Sequence, residues 1–160
     1  MLSGLLDRFR FKSQPYASAN DLVAGFLSLA RNESERELVR DLMQRITLYD
    51  LKAQEVEVTE REDGRFETSL TVAAAKFYAD GEGVETEADL SDEIEIGLFT
   101  DRPGNAVFDS ENVILMERRP VRSGEQTITI VTDRRPTWVG VDPYNKYVDR
   151  NSDDNLIAAT

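Results

Sequence analysis

Apolar residues recur every three to four positions through residues 18–46, and every second position from Ala53 to Val141. The first rhythm is that of a helix with one covered side, and the second is that of strands with one covered face. In "SANDLVAGFLSLAR", Ser18, Asn20 and Asp21 offer capping side chains, and Leu22, Val23, Phe26, Leu27 and Ala30 follow at helical spacing. Asn32 opens a second helix with Glu35 three residues on, as in a capping box with Asn in place of Ser or Thr. Leu38, Val39, Leu42, Met43 and Ile46 then make one apolar face. Glu33, Glu35 and Glu37 crowd its start, while Arg40 and Arg45 come later, as the helix dipole favours. The short junction at Arg31-Asn32 joins the two into a helical hairpin, placed at residues 18–52.

From Ala53 the period is two. "AQEVEVTER" and "RFETSLTVAAAKFYA" flank Asp63-Gly64, a strong hairpin turn. "VETEADL", "DEIEIGLF", "NVILMERRPV", "EQTITIVTD" and "PTWVGVD" follow, separated by "DGEG", "RSGE" and "DRRP". About seven short strands with regular turn signals predict an antiparallel, immunoglobulin-like β-sandwich over 53–160, ending in a turn-rich segment. Residues 1–17 form a lead-in or linker. Within it Phe9 and Phe11 alternate with Arg8, Arg10 and Lys12, and Pro15 breaks any helix. The fold class is therefore mostly β with a small α part.

Composition narrows the chemistry. The 160 residues contain no Cys and no His, so disulfides, thiolate zinc sites, serine-histidine and cysteine-histidine catalysis and a His-Glu-x-x-His zinc site are all excluded within the chain. With 31 acidic against 19 basic residues, the net charge of −12 repels phosphate backbones, and nucleic acid is not an expected partner. No apolar run approaches the roughly 20 residues of a membrane span. "MLSGLLDRFRFK" has charges inside its apolar part and lacks a signal-peptide layout. No cofactor is expected.

Four groups of residues invite a functional reading. Glu93 and Glu95 lie two apart on a strand, share a face and are of the residue type that a carboxylate pair for glycoside hydrolysis requires; their alternation with Ile94 and Ile96 marks a solvated outer face instead. Arg118, Arg119 and Arg122, with Arg134 and Arg135, could gather into an anion-binding or interaction patch, or simply keep strand edges from pairing. Trp138, the single Trp, is expected to cap the core. Asp149, Asn151 and Asp153 match positions 1, 3 and 5 of a calcium loop. Position 6 is Asp154 rather than Gly, and position 12 is Thr160 rather than Glu, so the three are weak metal candidates and Asx turns account for them without an ion. "DPYN" has Asp and Pro where a type I turn wants them.

Four stretches carry a resemblance. "LMQRITLYDLK" (42–52), "KFYADGEGVETE" (76–87), "SGEQTITI" (123–130) and above all "GVDPYNKYVDRNSDDN" (140–155) resemble the extreme C-terminus of bacterial proteins that fuse an ABC-type transporter permease to a gluzincin zinc aminopeptidase-like domain. The signature residues are Asp142, Pro143, Tyr144, Asn145, Asp149, Arg150, Asn151, Asp153, Asp154 and Asn155. The resemblance spans roughly Tyr16 to Leu156. It implies a non-catalytic accessory domain, partnered by the preceding peptidase-like domain of the same polypeptide and tied to the bacterial inner membrane only through the parent's permease helices, on its extracytoplasmic side. It also implies that Met1 is an internal or cloning start. The rival expectation, drawn from the Asx-rich tail and the arginines, is an independent ligand- or calcium-binding β-sandwich.

Overall fold

The computed structural model describes residues 18–159, together with Asp7, Arg10 and Tyr16. The basic-aromatic alternation at 8–12 and Thr160 lie outside the described residues, apart from Arg10, which is exposed. The chain divides into two compact units, Met1–Ile46 and Thr47–Thr160.

In the first unit, α1 spans Ala19–Leu29 and α2 spans Glu33–Met43. Ser18 caps α1 in a reciprocal box with Asp21: its hydroxyl accepts from the Asp21 N–H, and the Asp21 carboxylate accepts from the Ser18 N–H at 2.9 Å. Asn32 caps α2 by accepting from the Glu35 N–H at 2.8 Å. The expected return bond is redirected, because the Glu35 carboxylate takes the Arg31 N–H (2.7 Å) and the Arg31 guanidinium instead. Arg36 donates to the Leu27 carbonyl at 3.2 Å and ties one helix to the other. Arg40 and Arg45 both pair with Glu37, and Arg45 also reaches the buried Asp41 at 2.8 Å. The expected apolar face of α2 is only half covered. Leu38 and Val39 are half-buried, whereas Leu42, Met43 and Ile46 are exposed.

The second unit begins earlier than the periodicity suggested. β1 runs Ile46–Glu60, so "TLYDLK" belongs to a strand and not to the hairpin placed at 18–52. Its own alternation explains this: Thr47, Tyr49, Leu51 and Ala53 are buried, and the residues between them are not. The apolar Leu48 between Thr47 and Tyr49 blurs that alternation in the sequence. β2 (Phe66–Ala79), β3 (Glu85–Ala88), β4 (Ser91–Phe99), β5 (Val113–Arg122), β6 (Gly124–Thr132), β7 (Trp138–Val141) and β8 (Leu156–Ala158) complete the unit among the described residues. β8 was not anticipated, since three residues of strand inside a turn-rich tail leave too short a pattern to read.

The strands form two four-stranded sheets. In one, β1 pairs with β2, and β2 also pairs with β6 (Phe66–Ala74) and with β3 (Lys76–Ala79). The other has the order β5-β4-β7-β8, antiparallel throughout. The chain changes sheet at Asp89-Leu90, at Ser123 and between β6 and β7, and the first two corners are bonded to each other. The Leu90 N–H donates to the Ser123 hydroxyl at 2.8 Å, and the Ser123 N–H donates to the Leu90 carbonyl at 3.2 Å. One apolar cluster draws on both sheets, with Tyr49, Leu51, Leu70 and Val72 from the first and Ile94, Ile96, Leu98, Val121, Val139 and Val141 from the second. At about 25 cal/mol per Å² of apolar surface removed from water, such burial is the main term holding the unit together.

A polar group enters this cluster. Lys76 on β2 lies 3.5 Å from the Asp92 carboxylate on β4, and the Tyr49 hydroxyl donates to the same carboxylate oxygen at 3.1 Å. Gly97 and Gly140 face each other across β4 and β7. A Cβ on Gly140 would stand 2.7 Å from the Asn155 carbonyl oxygen, and one on Gly97 would meet the Phe99 ring and the Met116 sulfur. The tail can therefore lie flat on β7 only where the side chain is missing. Gly140→Ala is expected to cost about 1–3 kcal/mol in urea unfolding, because the obstacle is backbone. Gly81→Ala, where a Cβ meets open space, is the matched control. Equal stability of the two variants would refute the close-approach account.

Candidate functional site

The stretch "DPYNKYVDRNSDDN" touches β1, β2, β3 and β4. Its first turn is built by Asp142, which has φ 42, the left-handed region that Asp and Asn tolerate best. Its carboxylate accepts the N–H groups of Lys146 (3.1 Å) and Tyr147 (2.9 Å), and the Asp142 N–H donates to the Glu95 carbonyl at 2.8 Å. Asn145, also with positive φ (51), donates its N–H back to the Asp142 carbonyl. The turn is thus capped from within by one side chain.

Beyond the turn the segment crosses to β1. The Tyr49 N–H donates to the Val148 carbonyl and the Arg150 N–H donates to the Tyr49 carbonyl, a parallel bridge centred on Asp149. The Asp149 carboxylate extends this ladder by accepting from the Leu51 N–H (3.3 Å), and it also accepts from the Asn151 N–H (3.1 Å). Tyr147 packs against Tyr49 with ring centroids 4.7 Å apart. The Arg150 guanidinium lies over the Phe77 ring at 4.0 Å and pairs with Glu85, so one side chain reaches both β2 and β3. Lys52 stands 3.6 Å from the Asp154 carboxylate. The chain then enters β8 beside β7.

Burial sets the electrostatics. Loss of solvation raises the Asp142 carboxyl above its ordinary value; the Tyr147 and Lys146 N–H groups oppose this, and the Glu95 and Asp149 carboxylates add to it. Asp149 is raised chiefly by burial as well, against the Asn151 and Leu51 N–H groups. Burial, aided by the Asp92 carboxylate, pushes the Tyr147 phenol up to about 12. Asn155 is fully buried beside Asp149; its amide forms no hydrogen bond of ordinary geometry, and its interaction is with that carboxylate. One Asp154 carboxylate oxygen is likewise buried without a hydrogen-bond partner.

Asp149 and Asn151 are brought together by their own hydrogen bond, while Asp153 is exposed. Among the described residues no group of three or more His, Cys, Asp or Glu is arranged to hold a metal ion. Glu93 and Glu95 share the outer face of β4, and the Glu95 carboxylate is gripped through both oxygens by Lys146 at 2.6 Å, with Arg118 3.9 Å away. That lysine clamp was invisible to strand periodicity because its partner is 51 residues distant.

The arginines do not form one patch. Arg118 and Arg122 lie on one face of β5, and Arg119 lies on the other face with Glu117. Arg122 stands opposite Ser91 at the start of β4, whereas Arg134 bonds the Glu111 carbonyl and Thr100 beyond the far end of that strand. Trp138 is half-buried, lies outside the central cluster and carries Arg102 over its ring at 5.4 Å. Phe108 and Tyr144 instead cover the buried Phe99 on the outer face, with centroids 5.8 and 6.2 Å away.

No helix among the described residues is long and apolar enough to cross a membrane. The chain shows no significant match to any family model, curated protein or solved structure.

The raised carboxyls fix the sign of a pH effect. A folded value above the unfolded one means that the folded state holds the proton more tightly. The associated stability is full below the ordinary Asp range, about pH 4, and is lost as pH rises through the raised value. Asp142→Asn keeps one acceptor and tolerates the left-handed backbone, yet cannot titrate. Its stability relative to wild type should therefore rise between about pH 4 and 7, read from urea midpoints. A flat difference would contradict the sign. Asp142→Ala strands two N–H donors and should cost about 1–3 kcal/mol.

Proposed function

We propose that this chain is a non-catalytic accessory domain, an immunoglobulin-like β-sandwich led by a helical hairpin. Its parent would be a bacterial ABC transporter permease/aminopeptidase-like protein, in which it packs against and supports the peptidase-like domain. The observation that carries the reading is the state of the signature segment. Its Asp142, Asp149 and Arg150 are occupied by backbone donors, by Glu85 and by the Phe77 ring, which makes the most particular stretch of the chain a structural clasp. The lack of His and Cys throughout agrees with it, since the gluzincin motif needs histidines that this chain does not supply. Membrane attachment then comes from the parent's permease helices, with this domain on the extracytoplasmic side.

Sequencing the coding region upstream of Met1 tests the reading directly. Membrane helices followed by His-Glu-x-x-His are expected there, and an upstream region encoding neither would overturn it. The isolated chain, supplied with zinc and aminoacyl reporter peptides, should release no amino acid; zinc-dependent release would equally refute a non-catalytic role.

A second reading rests on the buried Asp154 oxygen and the Asn155 amide beside Asp149, which make no ordinary hydrogen bonds. In that reading the tail takes a calcium ion. Calorimetric titration decides between them: binding tighter than about millimolar that disappears in Asp149→Ala supports the cation site, and no heat removes it.

A further inference from the structure

We propose that the amine of Lys76 and the carboxyl of Asp92 condense into an amide bond that staples β2 to β4 through the apolar core. Both side chains are enclosed, at 3% and 7% exposure, and they come from different sheets. Nζ stands 3.5 Å from an oxygen of the carboxyl whose carbon it attacks, and reaction follows when Nζ and that carbon come within roughly 3–3.5 Å of each other. The Tyr49 hydroxyl donates to that same oxygen at 3.1 Å, where it stabilises negative charge developing as the carbonyl carbon is attacked. Tyr49 is itself held, 1% exposed, by its backbone bridge to Val148 and Arg150 and by the Tyr147 ring.

In water an ammonium and a carboxylate rest as hydrated ions and do not condense. Between the two sheets both side chains are enclosed and held in contact, so no full hydration shell has to be shed before they meet. A proton passes from Nζ to the carboxylate, leaving an amine with a free electron pair and a carboxylic acid. The nitrogen pair forms the bond to Cγ, and one Cγ–O bond breaks with its electrons. That oxygen departs as water, carrying both protons that nitrogen has lost. Nothing is oxidised or reduced, and no co-reactant enters. A chain without cysteine has no disulfide available, so this amide would be its covalent tie between sheets.

Intact-mass measurement of the purified, denatured full chain tests the proposal. The expected mass is that of the sequence less one water, and trypsin should fail to cut after Lys76. Because residues 77–101 hold no Lys or Arg and Arg102 precedes Pro103, the product is one looped peptide, residues 66–118 less one water, closed on itself between residues 76 and 92. Asp92→Asn should form the same amide with loss of ammonia, and Lys76→Met should retain its full sequence mass. Tyr49→Phe, which keeps the ring beside Tyr147, should leave part of the population unreacted; complete reaction there would remove Tyr49 from the chemistry. An unshifted wild-type mass with ordinary cleavage after Lys76 overturns the cross-link. So does a water lost elsewhere, as at Asp63-Gly64, with that cleavage intact. Because the wild-type chain alone gives this answer, the outcome does not depend on whether the variants fold.

Discussion

Burial of Leu51, Leu70 and Val72 in one cluster with Ile94, Ile96 and Leu98 joins two sheets that share no continuous ladder of backbone hydrogen bonds. Because sheet-to-sheet attraction of this kind is non-directional, it does not by itself set how the sheets are aligned. Direction comes from the few polar groups that cross the gap. The Leu90–Ser123 corner fixes one end by two hydrogen bonds, and Lys76, Asp92 and Tyr49 meet within the core. A sliding of one sheet over the other would pull these polar groups apart inside the apolar core, where a polar group that loses its partner is costly. The apolar cluster supplies the stability and the polar contacts supply the alignment.

The C-terminal segment does for the edges what those contacts do for the centre. It bonds to the free edge of β1 through Tyr49, to β4 through the Glu95 carbonyl, and to β2 and β3 through Arg150. It then adds β8 to the edge of β7. Exposed edges invite pairing with other chains, and a segment that covers part of one edge and extends another reduces that hazard. Gly140 is what lets the tail lie close, since any side chain there would meet the Asn155 backbone.

Legibility in the sequence followed the range of the interaction. Helix caps and hairpin turns act over two to four residues, and Ser18, Asn32 and Asp63-Gly64 could be read directly. Alternation over eight or more residues placed β2 and β4, and it marked Glu93 and Glu95 as an outer pair. Tyr49 is hidden because "ITLYDL" carries apolar residues at both parities, and its strand reads in sequence as the end of a helix. The Lys146 clamp on Glu95, the Arg150 contact with Glu85 and the Lys76–Asp92 pair join residues 16 to 65 apart in sequence, and no local pattern encodes them. The arginines looked like a cluster because they are neighbours in the chain, but alternate faces of β5 and opposite ends of β4 separate them.

A particular residue pattern does not have to be a reactive one. Asp149, Asn151 and Asp153 have the spacing of a cation loop, but the carboxylate that would lead such a loop already accepts the Leu51 and Asn151 N–H groups. The Leu51 donor lies on the edge of β1 next to the Tyr49 bridge, where it needs an acceptor as much as any ladder position does. An ion drawing Asp149 away would strand both donors, at about 1–3 kcal/mol for each left unsatisfied in a covered site. It would also have to recruit Asn155 and Asp154, whose buried oxygens are the groups without ordinary partners. The same acidic residues therefore hold the fold in the absence of an ion. A ligand there acts only if its bonds to the carboxylates outweigh the backbone bonds it displaces.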